Sequence, residues 1–190
     1  MRIQSGEARG RKLKTREGKG TRPTDARARE TLFNIIGERV VEARVLDLYA
    51  GTGAVGIEAL SRGADSCIFI EQNHVACSVI RENIKTLGWQ EKAQVWKSAV
   101  KPSLRRLGES GENFDIVFAD PPFTREEELR DLSAGLDNWC QLLHNEGKRF
   151  DGLLVVQHHW KAMPPLSAAW APVQSRRAGE SMLSFYCCAR

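Results

Sequence analysis

Asp120-Pro121-Pro122-Phe123 places a carboxylate, two rigid imino acids and an aromatic face directly behind the apolar run Ile116-Val117-Phe118-Ala119. Proline has a fixed φ and no N–H, and it keeps the preceding residue extended, so such a turn is stiff and its carbonyls are open to donors. These residue types suit a planar amine. Asp120 and the Pro121 carbonyl would take its two N–H groups, Phe123 would stack on its plane, and Pro122 stiffens the turn. A plain Pro-Pro turn closing a strand is the ordinary alternative, and the rest of the chain decides between the two.

A second set of residues surrounds Gly51-Thr52-Gly53-Ala54-Val55-Gly56, a GxGxxG match between an expected strand and an expected helix. Glycines there let a ligand approach the backbone, and a helix N-terminus favours a carboxylate or phosphate. Glu71, at the end of the next strand, is placed for ribose hydroxyls. These features fit a nicotinamide dinucleotide, and they fit S-adenosylmethionine as well. Asp47 favours the second, because an acid in the strand before the turn attracts an ammonium or sulfonium and is unwelcome beside a pyrophosphate. Tyr49, between Asp47 and Gly51, is counted with the cofactor contacts Gly51 and Gly53. Asp120 is counted there too, since its turn faces the methyl group of the same cofactor. Ser98-Ala99 falls where an adenine edge would lie.

The elements that must hold these groups follow from periodicity. A helix is predicted from Thr24 as cap through Ala28, Leu32, Phe33, Ile35, Ile36 and Val40, with Arg27 and Arg29 off the apolar stripe. Strands are predicted over 44–49, 66–71, 93–97, 114–119 and 152–157, with two more near 173–177 and 182–188. Helices are predicted over 54–62, ended by Gly63, from Val75 to Leu87, ended by Gly88, and over 125–143. Strands alternating with helices give an α/β fold: a Rossmann-like, seven-stranded, mostly parallel sheet with helices on both faces. Ligands of such sheets lie at the strands' carboxyl ends.

Charge is concentrated at one end. Residues 1–30 hold ten basic and four acidic side chains, a balance of +6, whereas the whole chain of 190 residues is +4, which leaves −2 for the rest. Glycines punctuate this stretch, and the segments around Ile3 and Leu13 can pair as a hairpin. We therefore expect a basic arm over 1–23 ahead of a single globular domain over 24–190. Arg2, Arg9, Arg11, Lys12, Arg22, Arg27 and Arg29 are its candidate phosphate contacts. A solvated basic tail is the plainer reading.

No run approaches the ~18 apolar residues of a membrane helix, and the N-terminus has no secretory h-region, so a cytoplasmic protein is expected. Five scattered cysteines without a CxxC pair read as reduced core thiols, and His74, His144, His158 and His159 show no metal spacing. No metal is expected, and the chain reads as a monomer.

Taken together, LDLYAGTGAVGIEALSRGA (46–64), FDIVFADPPF (114–123), TRPTDARARETLFNII (21–36) and GESMLSFY (179–186) resemble the bacterial 16S rRNA guanine-N2 methyltransferase family that modifies guanine 966. The resemblance implies a class I methyltransferase fold, S-adenosylmethionine as donor and 16S ribosomal RNA in an assembling small subunit as substrate. It also implies cofactor contacts at Asp47, Gly51, Gly53 and Glu71, and an amine site at Asp120 to Phe123. The family often has an acid after the third strand, where this chain has Ser98-Ala99, and Phe123 stands where tyrosine is commoner. The competing readings are an adenine-N6 or protein-amine methyltransferase, a nicotinamide oxidoreductase, and an RNA-binding assembly factor without catalysis.

Overall fold

The computed structural model describes residues 1–15, 26–122, 126–161, 163–164 and 166–189. Thr24, Arg22 and Phe123 lie outside these residues. One seven-stranded sheet runs through the molecule in the order β3-β2-β1-β4-β5-β7-β6. Its strands are β1 Arg44–Leu48, β2 Ser66–Glu71, β3 Ala93–Lys97, β4 Ile116–Ala119, β5 Leu153–His159, β6 Trp170–Ala178 and β7 Ser181–Cys188. The first five are parallel, and β7 pairs antiparallel with both β5 and β6. The predicted sheet is thus the observed one, with strand ends shifted by a few residues.

Helices α1 (Ala26–Ile36), α2 (Ala54–Ser61), α3 (His74–Leu87), α4 (Val100–Glu109) and α5 (Glu126–Asn145) cover the two faces. Side chains alternate across a strand, so β1 feeds two cores. Val45 packs with Leu32, Ile57 and Ile80 of α1, α2 and α3. Leu46 and Leu48 pack with Leu104 of α4 and Leu132, Leu136 and Trp139 of α5. Asp47 therefore falls on the α2 side. Burial on both faces explains why β1, β4 and β5 read as nearly continuous apolar runs.

The local signals account for the ends of α3. The Asn73 side chain accepts from the Val75 and Ala76 N–H groups, and Gly88 closes the helix in the left-handed conformation at φ 77°. Helix α4 is not among the predicted elements. Pro102 lies in its first turn, where a missing N–H costs no intrahelical bond, and Val100, Leu104 and Leu107 form its buried stripe.

Residues 1–15 fold back onto α2 and α3. An isolated bridge pairs Arg2 with Lys12, and Ile3, Ala8 and Leu13 are buried. The Gln4 and Ser5 N–H groups donate to the Glu58 carboxylate at 2.9 and 3.0 Å, Ala8 N–H donates to Ser61 Oγ, and Lys14 N–H donates to Asn83. Gly6, at φ 82°, passes so close to α2 that a Cβ there would lie 1.7 Å from the Ser61 carbonyl oxygen. This cover leaves all eight residues of α2 buried, including Glu58.

Candidate active site at the carboxyl ends of the strands

Strand order turns from β2 to β4 on either side of β1, which opens a crevice at the carboxyl ends of β1 and β4. Leu48 is level with Ile70 on one side and with Ala119 on the other, so Tyr49, Glu71 and Asp120 leave the sheet side by side.

Behind β1 the chain turns through Tyr49 at φ 59°, Gly51 at φ 56° and Gly53 at φ 78° before α2 begins. A non-glycine residue in the left-handed region is strained, and such strain clusters at ligand sites. The Tyr49 hydroxyl donates to the Glu128 carbonyl at 3.2 Å, which ties this turn to the first turns of α5 just beyond the Asp120 turn. Burial, then the acids of α5, raises the phenol well above its ordinary range. Tyr49 thus joins the glycine turn to α5. A Cβ on Gly51 would approach only the Tyr49 carbonyl, at 4.0 Å, so this turn presents bare backbone to the crevice. Gly56 has another purpose: its missing side chain admits the Phe69 ring and Cys67 Sγ, which would lie 2.3 and 2.6 Å from a Cβ.

Asp47 is only 2% exposed, and its Oδ2 accepts from the Gly56 N–H at 3.0 Å. That N–H belongs to the first turn of α2, where Gly53 supplies no side-chain cap. A strand carboxylate therefore satisfies a helix-terminal donor that lacks an intrahelical partner. Burial nevertheless pushes the Asp47 carboxyl up to about 7; the Gly56 bond opposes this, and the negative charges of Asp120 and Glu71 add to it. Burial is thus the main reason Asp47 resists ionisation, and the neighbouring carboxylates add a smaller repulsion. A cation would relieve it, and a pyrophosphate would aggravate it.

Glu71 is held at the end of β2 by two backbone donors, Gly51 N–H at 2.8 Å and Asn73 N–H at 2.7 Å. Asn73, which both fixes Glu71 and caps α3, is absent from the residues singled out in the sequence. Its signal is an Asx residue two positions after the acid and directly before an apolar-periodic run. Ser98 N–H donates to the Glu71 carbonyl, and the Ser98 hydroxyl bonds to the Ala99 carbonyl, which also receives Ser103 from α4. The Ser98 hydroxyl is therefore engaged by its own backbone, and the pair offers a ligand backbone rather than side-chain recognition. On the acceptor side Asp120 and Pro122 are half-buried and Pro121 is buried. The Asp120 N–H points back to the Leu48 carbonyl at 3.5 Å.

The arm residues divide. Arg2, Arg9, Arg11, Lys12 and Arg27 are exposed, although Arg2 donates to the Gly10 carbonyl and Arg11 to the Thr86 carbonyl. Arg29 is a correction to the expected phosphate contacts. It is 2% exposed, with Nε 3.6 Å from Glu58 and Nη2 donating to the Arg2 carbonyl, so its charge is spent inside the protein. Among the described residues no cluster of three or more histidine, cysteine, aspartate or glutamate side chains could hold a metal, and no helix is long and apolar enough to cross a membrane.

Comparison with known proteins places this geometry in context. A family model described as conserved hypothetical protein 95 matches residues 1–187. Ribosomal RNA small subunit methyltransferase D of Escherichia coli K12 is 34% identical over 188 residues, covering 98% of this chain and 89% of that protein. The protein of the same name from Haemophilus influenzae is 38% identical over 167 residues, 84% of each chain. A solved structure of a hypothetical protein from Thermus thermophilus superposes with a TM-score of 0.78 at 31% identity, covering 97% of this chain and 98% of that one.

Proposed function

The chain belongs to the conserved hypothetical protein 95 family, and we propose that it transfers a methyl group from S-adenosylmethionine to the exocyclic N2 of a guanine in small-subunit ribosomal RNA. It is an rRNA methyltransferase, as its relatives from Escherichia coli and Haemophilus influenzae are named. The observation that carries the cofactor reading is the placement of three acids around the glycine turn: Asp47 accepts from Gly56 N–H, Glu71 accepts from Gly51 N–H, and the register sets Asp120 beside them. The donor set fits a ligand with an ammonium and a sulfonium and no phosphate, and it argues against a nicotinamide dinucleotide.

In this reading Asp47 and the Gly51 to Gly53 backbone hold the amino-acid end of the cofactor, with Tyr49 fixing the turn. Glu71 meets the ribose hydroxyls in exchange for one of its present backbone donors. Ser98 and Ala99 border the adenine through their backbone. When bound, S-adenosylmethionine supplies an electrophilic methyl group on a positively charged sulfur.

The residues of the acceptor turn do the remaining work. An aromatic exocyclic amine is a weak nucleophile because its lone pair is delocalised into the ring. Asp120 and the Pro121 carbonyl accept its two N–H groups and turn the lone pair out of the base plane. Phe123 stacks on the base, and the two prolines keep the turn from yielding. The attacking nitrogen loses a proton, which Asp120 receives. Holding two reactants in line supplies about 7–11 kcal/mol of barrier lowering, so positioning carries most of the rate. A paired guanine costs about a few kcal/mol to flip into the site and a looped one less, which favours a single-stranded or loop target; the assembling subunit is the substrate that the family resemblance indicates. Guanine 966 is the position the family resemblance indicates. We also take the protein to act as a cytoplasmic monomer without a metal.

The test is labelled methyl transfer to small subunits lacking the modification, followed by nucleoside analysis. N2-methylguanosine is the expected product, whereas label in N6-methyladenosine overturns the substrate reading.

A further inference from the structure

Beyond β4 the sheet's carboxyl edge carries a surface that neither the cofactor cradle nor the basic arm uses. Ala119 is level with Val156, and β5 runs on to His159 and delivers Trp160, about 13 Å further along the strand direction by strand rise. Trp160 is 39% exposed, and its neighbour Met163 is 75% exposed. The Arg177 guanidinium lies 4.2 Å and the Lys161 ammonium 5.2 Å from the Trp160 ring centre, while His159 stacks beside it at 6.0 Å. Arg177 arrives because β6 and β7 run antiparallel and bring the end of β6 to this edge, level with Met182 and His158. The Arg177 Nε donates to the Gly179 carbonyl and the Trp160 N–H donates to the Glu180 carbonyl, so backbone bonds hold the group in place.

An exposed tryptophan stacked with arginine, beside a lysine, matches the chemistry of single-stranded RNA: bases stack on aromatic and guanidinium planes, and cations meet the phosphates. Its position matters as much as its composition. Arg11 of the arm sits over the far end of α3, a helix that begins at the site. Arg11 contacts Thr86, about 18 Å by helical rise from the start of α3. RNA entering the acceptor turn therefore needs a contact nearer Asp120.

Resting on the reading of the site as an RNA methyltransferase, we propose that Trp160, Arg177 and Lys161 form a docking platform for the RNA strand flanking the target base. Trp160, backed by Arg177, stacks a neighbouring base, and the Arg177 and Lys161 charges meet the flanking phosphates.

The experiment titrates a fluorescein-labelled single-stranded RNA into cofactor-free protein, as wild type, Trp160→Ala, Trp160→Phe, Arg177→Gln and Lys161→Ala, with thermal unfolding alongside. Trp160→Ala should weaken RNA binding about tenfold, and Trp160→Phe should restore most of it. Arg177→Gln and Lys161→Ala should each lower the slope of log affinity against log salt by about one. In methyl transfer to small subunits, Trp160→Ala should raise KM with kcat and S-adenosylmethionine affinity unchanged. Unchanged RNA affinity and salt slopes in folded variants overturn the platform, as does loss of binding to the ribosomal particle with naked RNA binding intact, which would place a protein partner there. If Trp160→Ala fails to fold, Arg177→Gln and Lys161→Ala decide through the slope. Failure of methyl transfer with a Trp160-dependent RNA affinity sinks the enzymatic reading and leaves the platform; transfer with an unaltered KM does the reverse.

Discussion

Replacing Asp47 by asparagine should make the unliganded protein more stable in mild alkali while weakening its hold on the cofactor. The side chain keeps its shape, and its amide oxygen can still accept the Gly56 N–H, so the start of α2 stays capped. What disappears is the ionisation. The folded carboxyl titrates at about 7 against 3.8 for an unperturbed group, chiefly because it is buried. A raised carboxylate pKa means that this group is least unfavourable to folding below about pH 4. That relative stability is lost progressively as pH rises to 7, and the full cost of the buried charge applies above it. About three pH units at about 1.4 kcal/mol each set an upper bound of about 4 kcal/mol. For a chain of this size, such a difference corresponds to a melting shift of roughly 8–16 °C. The assay is thermal or urea unfolding of wild type and Asp47→Asn from pH 4.5 to 8.5. The gap between the two should be small at the acid end and widen until about pH 7.5, with the variant above. Calorimetry should show S-adenosylmethionine binding to the wild type tightening with pH up to about 7, and binding to the variant both weaker and flat across that window. A stability gap that does not change with pH would refute the assignment of a raised, uncompensated Asp47.

Asp120→Ala should lower methyl transfer by about 10²-fold or more with the cofactor dissociation constant nearly unchanged, as read by single-turnover kinetics and calorimetry. Gly56→Ala puts a methyl group against Phe69 and Cys67 and should cost about 1–3 kcal/mol in urea unfolding. Arg29→Met takes one cation from the buried Glu58 carboxylate, which keeps Arg62 at 2.9 Å and the Gln4 and Ser5 N–H groups, and removes the donor to the Arg2 carbonyl, so it should destabilise the protein by about 1–3 kcal/mol, while the salt slope of RNA binding stays that of the wild type; a reduced slope would return Arg29 to the RNA contacts.

What the chain displays locally is legible in the sequence, and what depends on a partner far along it is not. The β1–glycine turn–α2 unit, the Glu71 position and the Asp120 turn all follow from short motifs next to apolar runs, and register then places their ends together. Arg29 looks solvent-facing because it lies off the α1 stripe, yet Glu58 and the Arg2 carbonyl meet it from other elements and make its burial tolerable. Asp47 reads as a ligand group. Its bond to Gly56 adds a structural duty that only the strand pleat and the approach of α2 reveal. Helix α4 escapes the periodicity because Pro102 and three basic residues hide a short apolar stripe. The cysteines divide in the same way: Cys67 and Cys77 are core thiols, whereas Cys187 is exposed at the end of β7, where side chains alternate between core and solvent.

The distribution of charge follows from the same geometry. On the proposed reading, the acids Glu71 and Asp120, with the buried Asp47 behind them, favour a cationic cofactor over a phosphate backbone. On that reading the RNA offers its base to the Asp120 turn while its phosphates stay outside the three carboxylates. Cations cannot sit at the turn itself without neutralising the cradle, so they have to flank it at a distance. Arg11 of the arm lies over the C-terminal part of α3, and the Trp160, Lys161 and Arg177 group lies beyond β5. On the proposed reading an extended strand is held at both positions with one base turned inward. Such an arrangement favours a nucleotide that leaves its helix, because an unstacked base reaches the Asp120 turn while its phosphate stays away from the carboxylates.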